Sequence, residues 1–194
     1  MAEQLSYYIG IPAETLIAMN FEYEGYAYTS MLMSETGKAV GFYDSRYTMI
    51  GSGAGERTFD PIYDDAFLSR FWPAAVTVAK TVYRDFLNIK FEDGRDFVTQ
   101  NFSAALQWDF KISNGYTVTD CAVANMRHNQ DMRMMIVAGK YDFCYPIEHA
   151  RYSYKNIGFP AERTQYLELD SGHDPYFPGK SQDDLAKAMR EFIK

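Results

Sequence analysis

Two side chains in the last third of the chain, Asp142 and His173, have the types needed for proton-transfer chemistry. A carboxylate that accepts a hydrogen bond from an imidazole fixes the tautomer of the ring and stabilises it when it is protonated. An imidazole held in this way can take a proton from a hydroxyl group and later return it. The pair therefore predicts a general base and the acid that orients it.

Each of these two residues follows a short apolar segment typical of a buried strand. Residues 136–138 are β-branched or small and apolar, and Gly139 ends this segment shortly before Asp142. Residues 166–169 form a second predicted strand, which runs into the polar loop that ends at His173. The carboxyl ends of parallel strands meet at one edge of a sheet, where α/β proteins bind their ligands. We therefore expect the acid and the histidine to lie close together.

Both residues also have a purely structural interpretation. Asp142 could cap the helix that Pro146 is expected to open, and His173 taken alone could be structural. The shared position after two strands favours the functional interpretation of the pair. His128 and His149 lie inside predicted helices, where a structural role is favoured.

The other reactive residue types give no recognisable motif. No histidine and acid have metal-ligand spacing, so we expect no metal and no other cofactor. Cys121 and Cys144 are predicted to be free thiols, with one disulfide in a secreted protein as the alternative. Ser52 lies in the glycine-rich tract 51–55, but the tract has neither the Gly-x-Ser-x-Gly spacing of a nucleophile elbow nor the Gly-Lys-Ser/Thr ending of a phosphate loop. We interpret it as a linker.

The elements expected before residue 130 are mostly helical. A helix is predicted to open at Pro12, residues 23–33 are ambiguous between strand and helix, and residues 40–49 are a candidate strand. The longest predicted helix covers residues 62–87, where Pro73 predicts a kink or two helices that meet near Trp72. Residues 88–116 are rich in loops, and a helix is expected to end near His128.

The last third of the chain is predicted to alternate between strand and helix. A helix over 146–157 should separate the two strands, and Gly158 should end it. The final helix is expected to start near Ser181, with a capping-box-like Ser-Gln-Asp-Asp opening. Its predicted inward-facing side chains are Leu185, Met189 and Phe192.

Composition and charge exclude several classes of protein. A chain of 194 residues with 47% hydrophobic residues can bury one sizeable core. The formal net charge of -7 argues against nucleic acid or an anionic membrane as partner. The sequence MAEQLSYYIG lacks the basic and then apolar pattern of a secretory signal, and no apolar run approaches the length of a membrane span. No compartment is predicted.

Several segments resemble one protein family. The segments MIVAGKYDFCYPIEHARYSYKNIGFP and YLELDSGHDPYF resemble the C-terminal part of serine carboxypeptidase-like proteins, which are α/β-hydrolases with an inserted helical cap. More weakly, AVGFYDSRYTM, ERTFDPIYDDAF and LQWDF resemble stretches that those proteins carry between their nucleophile and their acid. The resemblance therefore spans most of the chain from about residue 10.

The resemblance implies a fold and a role for each site residue. The fold class is α/β, a partial α/β-hydrolase fold with an incomplete parallel sheet, divided into a mostly helical cap-like region at 1–130 and a core portion at 131–194. Asp142 would be the acid and His173 the base of a Ser-Asp-His triad, whose serine elbow is absent from these 194 residues. Asp174 departs from the apolar residue expected after the histidine, and its charge should raise the proton affinity of the imidazole.

The function implied is peptide hydrolysis by acyl transfer in a full-length parent, of which this chain would be the C-terminal part and inactive alone. The implied partners are a peptide substrate of that parent and either a second copy of the chain or an N-terminal half, because an incomplete sheet leaves an open edge. Two alternatives stay open: a non-catalytic binding or scaffolding module derived from an α/β-hydrolase, and a parent with esterase activity.

Overall fold

The computed structural model describes residues 1–23, 25–51, 64–89 and 118–194. These residues form a mixed helix–strand structure with two small sheets of two strands each. Most of the predicted linker (52–55), most of the loop-rich segment (90–116) and the resembling stretches at 56–63 and 106–110 lie outside the described residues. None of the described helices is long and apolar enough to cross a membrane.

The first part of the chain forms three short helices. Helix α1 covers Ala2–Ile9, α2 covers Ala13–Ala18 and α3 covers Gly25–Met31. Helix α2 begins directly after Pro12, as predicted, because the fixed φ of proline suits the entry to a helix. The segment whose sequence was ambiguous between strand and helix is therefore helical over α3.

An antiparallel hairpin follows. Strands β1 (Lys38–Val40) and β2 (Thr48–Ile50) pair so that Ala39 lies opposite Met49. The expectation of one strand over 40–49 is wrong, because the chain reverses direction between β1 and β2. The polar residues in the middle of that segment, Asp44, Ser45 and Arg46, belong to the connection between the two strands.

Helix α4 covers Leu68–Thr81 and contains Pro73, so the expectation of two helices that meet near Trp72 is wrong, whereas the alternative of a kink at Pro73 stays a prediction. A proline inside a helix removes one ladder hydrogen bond, here the one that the Ser69 carbonyl would accept. The rings of Phe67 and Phe71 at the start of the helix contact each other and Phe177 at centroid distances of 4.9 to 5.1 Å. The helix continues into a single π-helical stretch at Val82–Phe86.

The last third follows the predicted alternation, with elements α5 (Val118–His128), β3 (Met134–Gly139), α6 (Ile147–Asn156), β4 (Thr164–Leu169) and α7 (Lys180–Ile193). Strands β3 and β4 are parallel, with Met134 opposite Thr164 and Gly139 opposite Leu169. Both predicted strands are confirmed. Because their carboxyl ends are in register, the loops that follow them start side by side.

Helix α7 begins at Lys180, one residue before the predicted Ser181, but its capping and one position of its inner face differ from prediction. The Ser181 hydroxyl donates to the Asp170 carbonyl at 3.0 Å and makes no capping bond, so the predicted capping box is wrong. The helix is fastened to the loop after β4 instead. Leu185 and Phe192 are half-buried, but Met189 is 48% exposed and Ala188 is buried, so Ala188 takes the inner position predicted for Met189.

A buried carboxylate joins the start of α4 to the segment after β1. Asp65 is 1% exposed, and its Oδ1 accepts the N–H groups of Phe67 and Leu68 at 2.9 Å each. Its Oδ2 accepts the N–H groups of Phe42 and Tyr43 at 2.5 and 3.3 Å. Four backbone donors therefore depend on one side chain, and the bonds from Phe67 and Leu68 are buried.

We predict that Asp65→Asn lowers the free energy of unfolding by about 1–3 kcal/mol, because an amide NH₂ turns a donor towards backbone N–H groups and leaves buried donors unpaired. Urea denaturation followed by circular dichroism measures this change. Asp131→Asn, at an exposed aspartate, is the matched control and should leave the midpoint unchanged. Equal stability of the two variants would contradict the role given to Asp65.

Candidate active site

The acid and the histidine meet as predicted. Asp142 lies in the loop after β3 with a side chain that is 7% exposed, and its Oδ2 is 2.9 Å from Nδ1 of His173 in the loop after β4. Its Oδ1 accepts the Tyr145 N–H at 2.9 Å, while Pro146 at the start of α6 has no side-chain capping bond. Asp142 thus closes the turn before the helix with one oxygen and holds the imidazole with the other.

The two loops remain paired beyond the strands. The Lys140 N–H donates to the Leu169 carbonyl and the Tyr141 N–H to the Ser171 carbonyl, each at 3.0 Å. A Cβ on Gly139 would lie 2.2 Å from the Gly172 carbonyl oxygen, closer than any side chain can approach. Glycine at this position therefore permits the contact between loops that brings Asp142 to His173.

The peptide carbonyls of Phe42 and Tyr43 bind both loops. The Phe42 carbonyl accepts the N–H groups of Phe143 and Cys144 at 3.0 and 3.1 Å, and the Tyr43 carbonyl accepts the His173 N–H at 2.7 Å. The Tyr43 ring also meets the His173 ring edge to face, with centroids 5.2 Å apart. These contacts cross the division predicted at residue 130, so the segment after β1 is part of the site.

The surroundings of His173 favour its protonated form. The hydrogen bond that His173 Nδ1 donates to Asp142 raises the pKa of His173 above its ordinary value; burial opposes this rise, and the charges of Asp142 and Asp174 add to it. The effect of Asp174 agrees with the prediction made from its position in the sequence. Tyr176 donates its hydroxyl to Asp174, and this bond raises the pKa of Tyr176 to about 12.

The sequence did not indicate that Cys144 lies beside the pair. Its Sγ, a carboxylate oxygen of Asp142 and a ring nitrogen of His173 all lie within 4.8 Å of one another. Burial, followed by the charges of Asp142, Asp174 and Asp65, raises the pKa of Cys144 to about 11. The thiol is therefore protonated near neutral pH, so it is a poor nucleophile.

The other predicted residues lie where the sequence placed them. His128 and His149 belong to α5 and α6, and Cys121 and Cys144 are free thiols. The signal that could have found Cys144 was its position two residues after Asp142, which places it on the same loop. Its distance from His173 depends on the pairing of two loops far apart in sequence.

A cleft of about 800 Å³ is lined in part by the loop that carries His173. Ser171 and Asp174, on either side of His173 in the chain, form part of its wall. An ion pair also lines the cleft. The Arg46 guanidinium binds the Asp44 carboxylate and donates a hydrogen bond to the Asp170 carbonyl. Its apolar wall is aromatic and consists of Tyr47, Phe67, Phe71 and Phe177.

No protein-family model, no curated protein and no solved structure matches this chain. The resemblance to serine carboxypeptidase-like proteins therefore rests on the residues quoted for it. The geometry of Asp142 and His173 stands independently of that resemblance.

We predict that the His173 imidazole titrates above the ordinary histidine pKa of about 6.5. Because the pKa is raised in the folded state, the hydrogen bond stabilises the fold fully below pH about 6.5, and this contribution is lost as the pH rises through the folded-state pKa. NMR titration of the ring protons, with EDTA present, measures the value.

Three variants calibrate this titration. Asp142→Asn should lower the pKa of His173 most, since it removes the largest cause of the rise, and Asp174→Asn should lower it less. Asp131→Asn should leave it unchanged. A His173 pKa that does not respond to Asp142→Asn would show that the pair is not formed in solution.

Proposed function

We propose that this chain supplies the acid and the base of a Ser-Asp-His triad, as the C-terminal part of a serine carboxypeptidase-like peptide hydrolase. One observation carries the proposal: His173 Nδ1 lies 2.9 Å from a buried carboxylate in loops at the same edge of a parallel pair of strands. The β3–α6–β4 unit and the quoted sequence segments support a partial α/β-hydrolase fold.

The orientation of the ring assigns a task to each nitrogen. Nδ1 faces Asp142, so Nε2 is the nitrogen that accepts a proton from an attacking serine hydroxyl. The serine oxygen then adds to the peptide carbonyl, and the protonated imidazole returns the proton to the leaving amine to give an acyl-enzyme. Water, deprotonated by the same imidazole, hydrolyses that ester. Asp142 holds the tautomer and stabilises the imidazolium throughout.

The nucleophile must come from another polypeptide segment, because no Gly-x-Ser-x-Gly sequence occurs in these 194 residues. Donors that stabilise the tetrahedral oxyanion would come from the same segment, and they contribute a large share of the rate. The chain alone therefore positions a base without accelerating hydrolysis. The aromatic and charged cleft beside His173 is the surface where part of a peptide substrate would lie.

Reconstitution with a nucleophile half tests this function. The chain is mixed with the N-terminal half of a serine carboxypeptidase-like enzyme that carries its Gly-x-Ser-x-Gly elbow, and a fluorophosphonate probe reports the activated serine. Labelling and cleavage of a blocked dipeptide are expected from the mixture but not from the chain alone. Asp142→Asn should lower kcat by about 10⁴-fold, because it releases the imidazole tautomer.

The controls separate this function from its alternatives. His149→Gln, on the neighbouring helix, should leave the activity of the mixture unchanged, whereas His173→Gln should abolish it. Labelling of the isolated chain, or activity that survives His173→Gln, would overturn the proposal. Cleavage of esters without peptides would favour the esterase alternative. A mixture that forms a complex but is never labelled would favour the non-catalytic module.

The same proposal includes an association through the sheet. Among the described residues, β3 and β4 pair only with each other, so no other described strand occupies the outer edge of either. Such edges bind further strands, from a second copy or from the half that carries the central strands of the parent.

We expect multi-angle light scattering to give a mass above the 22.3 kDa of one chain as concentration rises. Addition of the nucleophile half should replace this species with a complex of one chain and one half, because both occupants compete for the same edge. A mass that stays at 22.3 kDa at the highest concentration, with and without the added half, would contradict the association.

A further inference from the structure

Three different metal-binding groups converge at the candidate active site. The Cys144 thiol, the Asp142 carboxylate and the His173 imidazole offer one ligand atom each, and these atoms lie within 4.8 Å of one another. Two ligands of a tetrahedral zinc ion are separated by about 3.3–3.6 Å, given bonds of roughly 2.0–2.3 Å. Small side-chain rotations would therefore bring all three atoms to bonding distance.

The site has a negative potential that favours a cation, and it is open to solvent. Asp174 and Asp65 add their negative potential to that of Asp142 at the Cys144 thiol. The His173 side chain is 39% exposed, so an ion can enter and a water molecule can take the fourth position. The buried Asp142 and its bond to the Tyr145 N–H fix the inner side of the site.

We propose that Asp142, Cys144 and His173 form a binding site for a zinc-class divalent cation. Thiolate and imidazole ligands favour Zn²⁺ over Mg²⁺ or Ca²⁺, which prefer sites built from oxygen atoms alone. The cation takes the place of the proton between Nδ1 and the carboxylate. A coordinating thiol loses its proton to solvent. The ring proton that the cation displaces from Nδ1 also passes to solvent, and Nε2 takes one up from solvent, so the coordinated imidazole carries its single proton on Nε2.

Binding of the cation has a consequence that rests on the proposed hydrolase function. An imidazole coordinated through Nδ1 carries its proton on Nε2 and cannot accept another from a serine hydroxyl. The bound ion also occupies the Asp142 oxygen that orients the ring. Zinc would therefore hold the base in an inactive state, and its removal would restore the hydrogen-bonded pair.

Titration of the full chain with Co²⁺, a spectroscopic substitute for Zn²⁺, tests the site without any activity measurement. We expect one Co²⁺ per chain, with a thiolate-to-cobalt charge-transfer absorption in the near ultraviolet, and displacement by Zn²⁺ but not by Mg²⁺ or Ca²⁺. Cys144→Ser should abolish that absorption. Cys144→Ser and His173→Gln should each weaken Zn²⁺ binding by about 100-fold or more, because even groups behind a ligand account for 10- to 100-fold.

Matched controls decide between this site and others in the chain. Cys121→Ser and His149→Gln, which keep the three ligands, should bind Zn²⁺ as the native chain does, and circular dichroism should show that all variants are folded. Zn²⁺ binding that is unchanged by Cys144→Ser, or Co²⁺ binding without the thiolate absorption, would overturn the proposal. Either result would leave the proposed hydrolase function intact, since reconstituted activity in EDTA tests that function separately.

Discussion

The geometry of the candidate site depends on two peptide carbonyls that belong to neither of its loops. The carbonyls of Phe42 and Tyr43 accept N–H groups from the loop that carries Asp142 and from the loop that carries His173. The N–H groups of the same two residues are bound by the buried carboxylate of Asp65. The N–H groups of this segment thus bind it to Asp65 before α4, and its carbonyls bind the two loops of the site. A change at Asp65 therefore reaches the site through the backbone, without any contact to the imidazole.

The negative charges around His173 have two opposite effects on its action as a base. A base gains strength as its pKa rises, but an imidazole with too high a pKa is already protonated near neutral pH and cannot accept another proton. The hydrogen bond from His173 to Asp142 and the charge of Asp174 raise the pKa of His173, and partial burial opposes them. The same carboxylates raise the pKa of the Cys144 thiol. One negative field therefore favours the imidazolium, suppresses the thiolate and attracts cations.

The sequence predicted those features that depend on neighbouring residues. Strands β3 and β4, helix α6 and the meeting of Asp142 with His173 follow from β-branched runs, a proline at a helix start and the parallel arrangement of strand ends. Of the two alternatives predicted at Pro73, separate helices was wrong, because the helix continues through the proline. The predicted strand over 40–49 was wrong because alternation there was poor and polar residues form a reversal.

What the sequence could not predict are contacts between distant residues. No local pattern shows that Asp65 binds the amides of Phe42 and Tyr43, or that Ser181 donates to Asp170 and caps nothing. The position of Cys144 beside His173 could not be predicted either, since a residue two positions after the acid can point to either side of its loop. Its approach to His173 is set by the carbonyl of Phe42, which holds the Cys144 N–H.

The two states proposed for His173 exclude each other for a reason that lies in the imidazole itself. A serine hydroxyl requires an unprotonated Nε2, which the hydrogen bond from Nδ1 to Asp142 provides. A cation on Nδ1 requires the ring proton to sit on Nε2. Because binding linkage is reciprocal, a segment that places a hydroxyl against Nε2 must weaken cation binding by the same factor by which the cation weakens docking of that hydroxyl. Under these two proposals, the cation should therefore bind most tightly to the acid–base pair when no serine hydroxyl lies against Nε2.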